Sequence, residues 1–333
     1  MEKEVKTLER KNQTIRLVKD NNSVLILAVL LAACFLFVDG YSNGFYNVIV
    51  YSSIYGVICL GLGMVMITGN IDLSVGFQAG LAGVTTVLSF NAIYQATGGN
   101  SVLSLVISIV VAMLTGAVTG LLNGVVVAKI GVSPLIATIA TNYLFKGLVF
   151  NFAQSSFAPE DAEIVKVIAK TKLFGLKWLT PSVIIFIVIV VLLALWMYKT
   201  RFGNRLHVVG DNPEAASYSG INVSRTVLIT YIVCGVMAAI SGFLMVSFDG
   251  YTIYTQGNSL STFPISCCVI GGIKMAGGKG TAVHILLGVL IMRAISTMMS
   301  VMFLSTDMVN LITGILLVAV LIVDRITSTK SAE

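Results

Sequence analysis

The chain has 333 residues, of which 56% are hydrophobic and only 11% are charged, and its formal net charge is +6. Since an average soluble domain carries about 25% charged residues, this composition excludes a soluble globular protein, and its high apolar content excludes a disordered chain. Five cysteines and five prolines exclude a disulfide scaffold and a collagen-like protein. The composition, with a mean hydropathy of +0.94, indicates an integral membrane protein.

Continuous apolar runs predict membrane-spanning helices, because they do not alternate in polarity as barrel strands do and a helical span needs about 20 residues. The predicted spans are residues 23–39, 45–67, 72–90, 102–129, 134–153, 181–198, 226–247, 261–276, 281–302 and 307–323. Glycines and a lysine interrupt the span at 261–276, which is the weakest. The short break at Thr68–Ile71 predicts a partly re-entrant start to the third span. The fold class is therefore an all-α, polytopic membrane protein with about ten transmembrane helices.

Basic residues are concentrated on one side of this topology. If the N-terminus is cytoplasmic, 15 of the 21 lysines and arginines lie in cytoplasmic segments, four lie in an outer loop and two lie within spans. The positive-inside rule then predicts that both termini are cytoplasmic. The predicted organisation is a cytoplasmic segment (1–20), a transmembrane domain (21–325) and a cytoplasmic tail (326–333). Within that domain, residues 154–180 form an extracytoplasmic loop and residues 199–225 form a cytoplasmic loop.

The break between the second and third spans reads Gly-Asn-Ile-Asp-Leu-Ser-Val-Gly, from Gly69 to Gly76. Gly69 and Asn70 permit the left-handed backbone that ends a helix. Asp72 is expected to cap the third span, and Ser74 can add a local hydrogen bond. The motif is compatible with simple capping of a tight helical hairpin and with a hinge or gate near a transport path.

The cytoplasmic loop contains a short helix whose two ends are encoded locally. Asp211 and Asn212 are N-cap residue types, and Pro213 suits the first helical position. Gly220 fits the position just after a helix. These signals predict a helix over residues 213–219, which is too short to be stable alone in water and needs a packing partner. The local chemistry leaves open that this is an ordinary loop helix on the membrane surface.

The segment Gly271–Gly280 is rich in glycine but does not match a phosphate-binding loop. That loop requires Gly-x-x-x-x-Gly-Lys followed by Ser or Thr. Ile273 occupies the position of the first glycine, and Gly280 follows Lys279. The chain is therefore predicted to have no nucleotide site, and the scattered cysteines and histidines predict no metal site and no catalytic residue.

Together these three motifs resemble those of the permease subunits of ribose/galactose-type ABC sugar importers, the inner membrane component of binding-protein-dependent transport systems. Gly210–Val223 resembles the family's ATPase-coupling segment, Gly69–Gly76 its Gly-x-Ile-Asp-Leu-Ser-Val-Gly motif and Gly271–Gly280 its late glycine-rich turn. The motifs occur in family order, and the resemblance covers nearly the whole chain.

The resemblance implies a permease that forms the translocation pathway for a pentose, a hexose or a related small carbohydrate. ATP and Mg would bind to a separate cytoplasmic ATPase, and an extracytoplasmic binding protein would deliver the sugar. The resemblance further implies a second permease subunit, in a homodimer or in a heterodimer of two related permeases, a bacterial inner membrane location and no nucleic-acid partner. It also implies inverted repeats, for which the glycine breaks at Gly69 and Gly271 are the candidate counterparts.

The candidate site residues fall into three groups. Those for ATPase coupling are Asp211, Asn212, Pro213, Glu214, Ala215, Ala216, Ser219 and Gly220. Those for a gate or hinge are Gly69, Asp72, Ser74, Gly76, Gly271, Gly272, Gly277 and Gly278. Polar residues inside apolar runs are candidates for the substrate path, with helix packing or snorkelling as the alternative: Asn123, Asn142, Lys146 and Arg293.

One stretch departs from the family pattern. Members have an acidic, alanine-rich stretch before the glycine-rich turn, whereas Leu260–Cys268 contains no acidic residue. On the fourth span, Gly116, Gly120 and Gly124 form one small face, which predicts close packing against another helix or a subunit interface.

The alternative function is a secondary transporter that moves a small polar solute on an ion gradient. Such a transporter needs intramembrane carboxylates to bind protons or Na⁺. The predicted spans hold only Asp39, Asp72 and Asp307, each at the end of a span, and this scarcity argues against ion coupling. A non-transporting membrane scaffold is a third alternative, but it leaves the capped cytoplasmic helix unexplained.

Overall fold

The computed structural model describes residues 41–303 and, beyond them, residues 305, 308–309, 311–315, 318 and 322. The predicted first span (23–39) and the terminal segments 1–20 and 326–333 lie outside the described residues. Most of the predicted tenth span (307–323) also lies outside them.

Residues 41–303 fold into α-helices joined by turns, and the β pairing found in this range is a single bridge between Phe157 and Thr252. The helices are α1 (Tyr41–Ile67), α2 (Val75–Ala96), α3 (Ser101–Ala128), α4 (Pro134–Phe152), α5 (Ala162–Lys170), α6 (Pro181–Lys199), α7 (Arg201–Asp211), α8 (Pro213–Tyr218), α9 (Val223–Asp249), α10 (Phe263–Gly271) and α11 (Ala282–Val301). Two 3₁₀ turns occupy Leu173–Gly175 and Asn258–Leu260.

Six of these helices are long and apolar enough to cross a membrane: α1, α3, α4, α6, α9 and α11. The α2 helix is also long enough, since its 22 residues extend about 33 Å. Several of these helices carry rows of exposed large apolar side chains; on α6 the row is Ile184, Ile187, Val188, Val191, Leu192 and Leu195. Such a surface is typical of a protein whose outer helices face lipid.

The predicted full-length span at 261–276 was wrong in length, because α10 has only nine residues. At about 14 Å it crosses roughly half of a 30 Å hydrocarbon core. Pro264 lies in its first turn, and Gly272, with φ +99°, ends it. The chain from Gly250 to Thr262, which precedes α10, packs beside α2, where a Cβ atom on Gly76 would overlap the carbonyl oxygen of Gly257.

Among the six apolar helices, α1 and α9 are the most buried, and they lie at the centre of the bundle. The small face of α3 packs on α9: Cβ atoms on Gly116 and Gly120 would overlap the carbonyl oxygens of Gly235 and Tyr231. A Cβ atom on Gly124 would come within 2.8 Å of the Leu228 side chain. This face therefore mediates helix packing within the subunit, the simpler of the two alternatives.

Helices from the earlier and later parts of the chain pack on one another. The α1 helix packs on α10 and α11, while α9 packs on α2 and α3. Gly69 contacts Ala276 and Gly277, whereas Gly271 packs on His284 at the start of α11. The breaks at Gly69 and Gly271 thus lie at the same end of the bundle and cannot be counterparts in an inverted repeat. Gly250, which ends α9 with φ +83°, lies at the opposite end.

The two hydrophilic loops also lie at opposite ends. In the loop at 154–180, Asp161 caps α5 by accepting a hydrogen bond from the backbone N–H of Ile164. The α5 helix is tied to the end of α9, where the Ser247 hydroxyl donates to the carbonyl of Val165 and accepts from the N–H of Ala169 (3.1 Å). The loop at 199–225 lies at the start of α9.

Candidate coupling segment and glycine junction

Residues 199–225, predicted as a loop around one short helix, contain a second helix that the prediction missed. This helix is α7, at Arg201–Asp211. Its buried positions, Gly203, Leu206, Val209 and Gly210, recur at helical spacing and give α7 one face that packs on the bundle. Thr200 caps its start by accepting a hydrogen bond from the N–H of Gly203.

The short helix α8 begins at the predicted residue, Pro213, and ends at Tyr218, one residue before the predicted end. Asn212, rather than Asp211, is its N-cap, and its side-chain oxygen accepts a hydrogen bond from the N–H of Ala215 (3.0 Å). Gly220 has φ +78°, and its N–H donates to the carbonyl of Ser217 (2.9 Å). Asp211 is the last residue of α7, so Asn212 both ends α7 and starts α8.

The side chains of α8 divide into one buried position and an exposed face. Ala216 is 0% exposed and belongs to the core of this subunit. The other candidates on this helix and at its C-cap are exposed: Pro213, Glu214, Ala215 and Ser219. Tyr218, which the sequence analysis did not single out, is 85% exposed. A partner can therefore reach Ala215 and Tyr218, whereas Ala216 holds α8 on its own subunit.

Three segments meet at what we call the glycine junction, formed by Gly69, Gly210, Gly277 and Gly278. A Cβ atom on Gly277 would come within 2.7 Å of both the Gly210 carbonyl oxygen and the Gly69 backbone nitrogen. A Cβ atom on Gly210 would overlap the carbonyl oxygen of Ile67 and come within 2.5 Å of the Gly278 nitrogen. The junction therefore joins the end of α1, the end of α7 and the glycine-rich turn at backbone contact distance.

Two hydrogen bonds fasten the junction. The N–H of Gly278 donates to the carbonyl of Ile67 (2.9 Å), which satisfies an acceptor left over at the end of α1. His207 Nδ1 donates to the carbonyl of Gly278 (3.0 Å). Gly69, Gly277 and Gly278 all have positive φ, whereas Asn70 does not; its amide donates to the carbonyl and hydroxyl of Thr68 instead.

Asp72 lies at the centre of a buried polar group that we call the Asp72 cluster: Asp72, Ser74, Gln78 and Asn123. One carboxylate oxygen accepts from the N–H (2.8 Å) and hydroxyl (2.6 Å) of Ser74. The other accepts from the side-chain amides of Gln78 (2.9 Å) and Asn123 (3.1 Å). Ser74 is the N-cap residue of α2, and no side chain caps this helix, so the prediction that Asp72 caps it was wrong. Asp72 instead accepts from the Ser74 N–H just before α2 and binds α2 to α3.

The four substrate-path candidates do not come together. Asn123 belongs to the Asp72 cluster, while Asn142 and Lys146 lie on α4. The Lys146 side chain is exposed, and its Nζ lies 5.8 Å from the ring centroid of Phe77. Arg293 lies elsewhere, on α11, among the rings of Tyr55 and Phe263.

Several residues of these sites escaped the sequence analysis. Gln78 carries a local signal, since it is a polar residue in an apolar helix one turn after Ser74. Gly210 belongs to the quoted coupling motif, but nothing local reveals its contact with Ile67. Among the described residues, no group of His, Cys, Asp or Glu has an arrangement that could hold a metal ion.

The family model described as "Branched-chain amino acid transport system / permease component" matches residues 44–321. The galactose/methyl galactoside import permease protein MglC of Haemophilus influenzae is 30% identical, covering 96% of this chain and 98% of its own length. The L-arabinose transport system permease protein AraH of Escherichia coli is 31% identical over 91% of this chain and 89% of its own. The autoinducer 2 import system permease protein LsrC of Yersinia enterocolitica is 27% identical over 94% and 85%. No solved structure matches the chain.

The length of these matches, the six apolar helices and the order of the motifs all indicate the same family. The chain therefore belongs to this family of ABC-importer permease components and is a multi-pass protein of the bacterial inner membrane.

Proposed function

We propose that this permease forms the translocation pathway for a pentose, a hexose or a related small carbohydrate, driven by ATP hydrolysis on a separate subunit. The names of the relatives support a carbohydrate, since they specify galactose and methyl galactoside, L-arabinose and autoinducer 2. ATP and Mg would be bound by a cytoplasmic ATPase, and an extracytoplasmic binding protein would deliver the sugar. The permease itself would catalyse no reaction.

The glycine junction is the observation that carries this proposal. It connects α8, which presents an exposed face, through α7 to the ends of α1 and α10. A displacement of α8 therefore reaches the helix breaks after α1 and α10 through backbone contacts, without an intervening flexible side chain. An ATPase that binds one position of α8 better than another would shift the permease between its two states by that difference in affinity. Backbone packing of this kind suits a discrete shift, because close-packed interfaces do not deform continuously.

We extend the proposal to the whole topology. The chain would have about ten transmembrane helices, with both termini and α7–α8 in the cytoplasm and α5 outside. Two copies would form the pathway as a homodimer. The halves would be inverted repeats in which Gly250, at the end of α9, corresponds to Gly69, at the end of α1.

Reconstitution tests the driving force. With the cognate ATPase and binding protein present, we expect vesicles containing this chain to accumulate radiolabelled D-galactose or L-arabinose only when ATP is supplied. Vesicles containing the chain alone should accumulate neither sugar under an imposed proton or sodium gradient. Gradient-driven accumulation by the chain alone would establish the secondary-transporter alternative.

The exposed face of α8 offers a direct test of ATPase docking. We expect Ala215→Arg to leave the permease folded in the membrane but to lower ATPase co-purification about a hundredfold, since an unpaired charge at a buried interface costs about 3–5 kcal/mol. Ala216→Arg is unsuitable for this purpose, because Ala216 lies in the core of the subunit and its replacement would disturb folding.

Ala158→Arg is the matched control, since Ala158 is an exposed alanine in the loop at the opposite end of the bundle and should retain the ATPase. In a cysteine-free background, Ala215→Cys should react with an impermeant maleimide only from the cytoplasmic side, and bound ATPase should protect it. Full ATPase retention in Ala215→Arg, or labelling from outside, would exclude α8 as the coupling element.

A further inference from the structure

Arg293 is a charged residue near the middle of the bundle that lacks a polar partner among the described residues. It forms no ion pair there, and its Nε is buried without a hydrogen bond. The centre of its guanidinium instead lies 3.9 Å from the ring centroid of Tyr55 and 4.3 Å from that of Phe263. Aromatic faces attract a cation at such distances, but they accept none of its five N–H groups in ordinary hydrogen bonds.

The depth of Arg293 makes this arrangement costly. Arg293 lies 11 residues into α11 and Tyr55 lies 12 residues before the end of α1, so both are about 17 Å from the glycine junction. This is close to the midplane of a 30 Å hydrocarbon core. An arginine at the centre of a span is costly to bury, and charged residues at this depth face the bundle interior or a cavity and mark substrate or ion pathways.

An aromatic strip leads from Arg293 toward the end of the bundle opposite the glycine junction. Phe263 lies 6.3 Å from Tyr55, Tyr55 lies 6.1 Å from Tyr51, and Tyr51 lies 5.0 Å from Phe248, all between ring centroids. Each of these rings is partly exposed. The strip is therefore partly exposed from the far end of α9 to mid-membrane depth.

Charged groups lie at both ends of this strip. Asp249, next to Phe248, is exposed, and Lys170 lies at the same end, with its Nζ 5.3 Å from the ring centroid of Phe248. The opposite charges of Asp249 and Lys170 offset each other there, so the outer end of the strip carries no net charge and admits a neutral ligand. Phe263 lies in the stretch without acidic residues, so no carboxylate from that stretch neutralises Arg293.

We propose that Arg293, Tyr55 and Phe263 form a mid-membrane contact site for a neutral sugar, in which the guanidinium donates to neighbouring hydroxyl oxygens while an apolar face of the sugar packs on the rings. The proposal rests on the proposed transport of a carbohydrate and assigns its contact residues. A guanidinium presents paired N–H groups in a fixed geometry that suits two adjacent oxygens, and pockets that combine apolar walls with a few polar groups are typical of small-molecule sites.

Selectivity among deoxy sugars tests a direct contact. The complete transporter, with its ATPase and binding protein, is assayed in vesicles with D-galactose and its four monodeoxy analogues. We expect Arg293→Gln to slow galactose uptake at least about tenfold, because a site built to bind a hydroxyl discriminates strongly when that bond is lost. Wild type should transport one of the analogues more slowly than galactose. The variant should transport this analogue and galactose at equal rates. The binding protein is the same in both assays, so its own selectivity cancels in this comparison.

Arg225→Gln is the matched control, since Arg225 is exposed near the start of α9 and should leave uptake and selectivity unchanged. Arg293→Lys and Phe263→Leu repeat the comparison if Arg293→Gln does not reach the membrane, with membrane level and ATPase co-purification measured for each. Variants that fold but slow galactose and every analogue by the same factor would assign Arg293 to helix packing and overturn the inference. Faster wild-type uptake of galacturonate than of galactose would overturn it by making the ligand an anion. If wild type takes up no sugar with ATP and binding protein present, the proposed function fails and this inference falls with it.

Discussion

Gly210→Ala is expected to abolish transport, because the added methyl group would occupy the space of the Ile67 carbonyl oxygen. Both neighbours of the new Cβ atom are backbone, so the strain cannot be relieved by rotating a side chain. Overpacking a close contact costs about 1–3 kcal/mol or more, and here it separates α7 from the end of α1. The measurement is ATP-driven sugar uptake together with the unfolding temperature of the purified permease.

Gly147→Ala is the control for Gly210→Ala, since a Cβ atom on Gly147 meets nothing within 4 Å. In the interior of α4 an alanine is favoured over glycine by about 1 kcal/mol, so this variant should be at least as stable as wild type. Equal transport by the Gly210→Ala and Gly147→Ala variants would mean that the glycine junction tolerates separation and does not couple α7 to α1.

Asp72→Ala is expected to lower the free energy of unfolding by about 3 kcal/mol, because it leaves the Gln78 and Asn123 amides and the Ser74 backbone N–H short of an acceptor in a buried site. The link between α2 and α3 through the Asp72 cluster would be lost at the same time, so uptake should fall as well. Asp72→Asn should be intermediate, since it keeps the size of the side chain but places an NH₂ group among donors. Thermal unfolding in detergent measures the loss.

Glu163→Ala is the control for Asp72, since Glu163 is an exposed carboxylate whose ion pair with Lys166 spans less than one helical turn. Its removal should change stability by less than about 1 kcal/mol. An unchanged unfolding temperature for Asp72→Ala would show that the cluster contributes nothing to stability and would leave Asp72 only a role in transport.

Features encoded within a few residues could be predicted from the sequence. Asn212 and Gly220 bound α8 and Gly69 ends α1 as expected, because a capping interaction or a positive φ involves only residues within one helical turn. The positions of the long apolar helices followed from the length that a membrane span requires. The family followed from three motifs in order, and the matches to known permeases confirm it.

Only the tertiary structure decided which surfaces these local elements present and which of them meet. The face of α8 on which Ala216 lies depends on how α7 packs beneath the bundle, so the sequence could not tell a docking residue from a core residue. The length of α10 depends on the irregular chain packed beside α2, whereas the sequence shows only that residues 261–276 are apolar.

The contacts between distant segments were likewise decided only by the tertiary structure. Gly210 touches Gly69 and Gly278, and Arg293 lies between Tyr55 and Phe263, although these partners are 30 to about 240 residues apart in sequence. No local propensity carries information over such separations, because the contacts arise from the order in which whole helices pack. The sequence by itself therefore determined the class of protein, its long apolar helices and the residues that bound α8, whereas the packing of the helices created the glycine junction and the arginine–aromatic site.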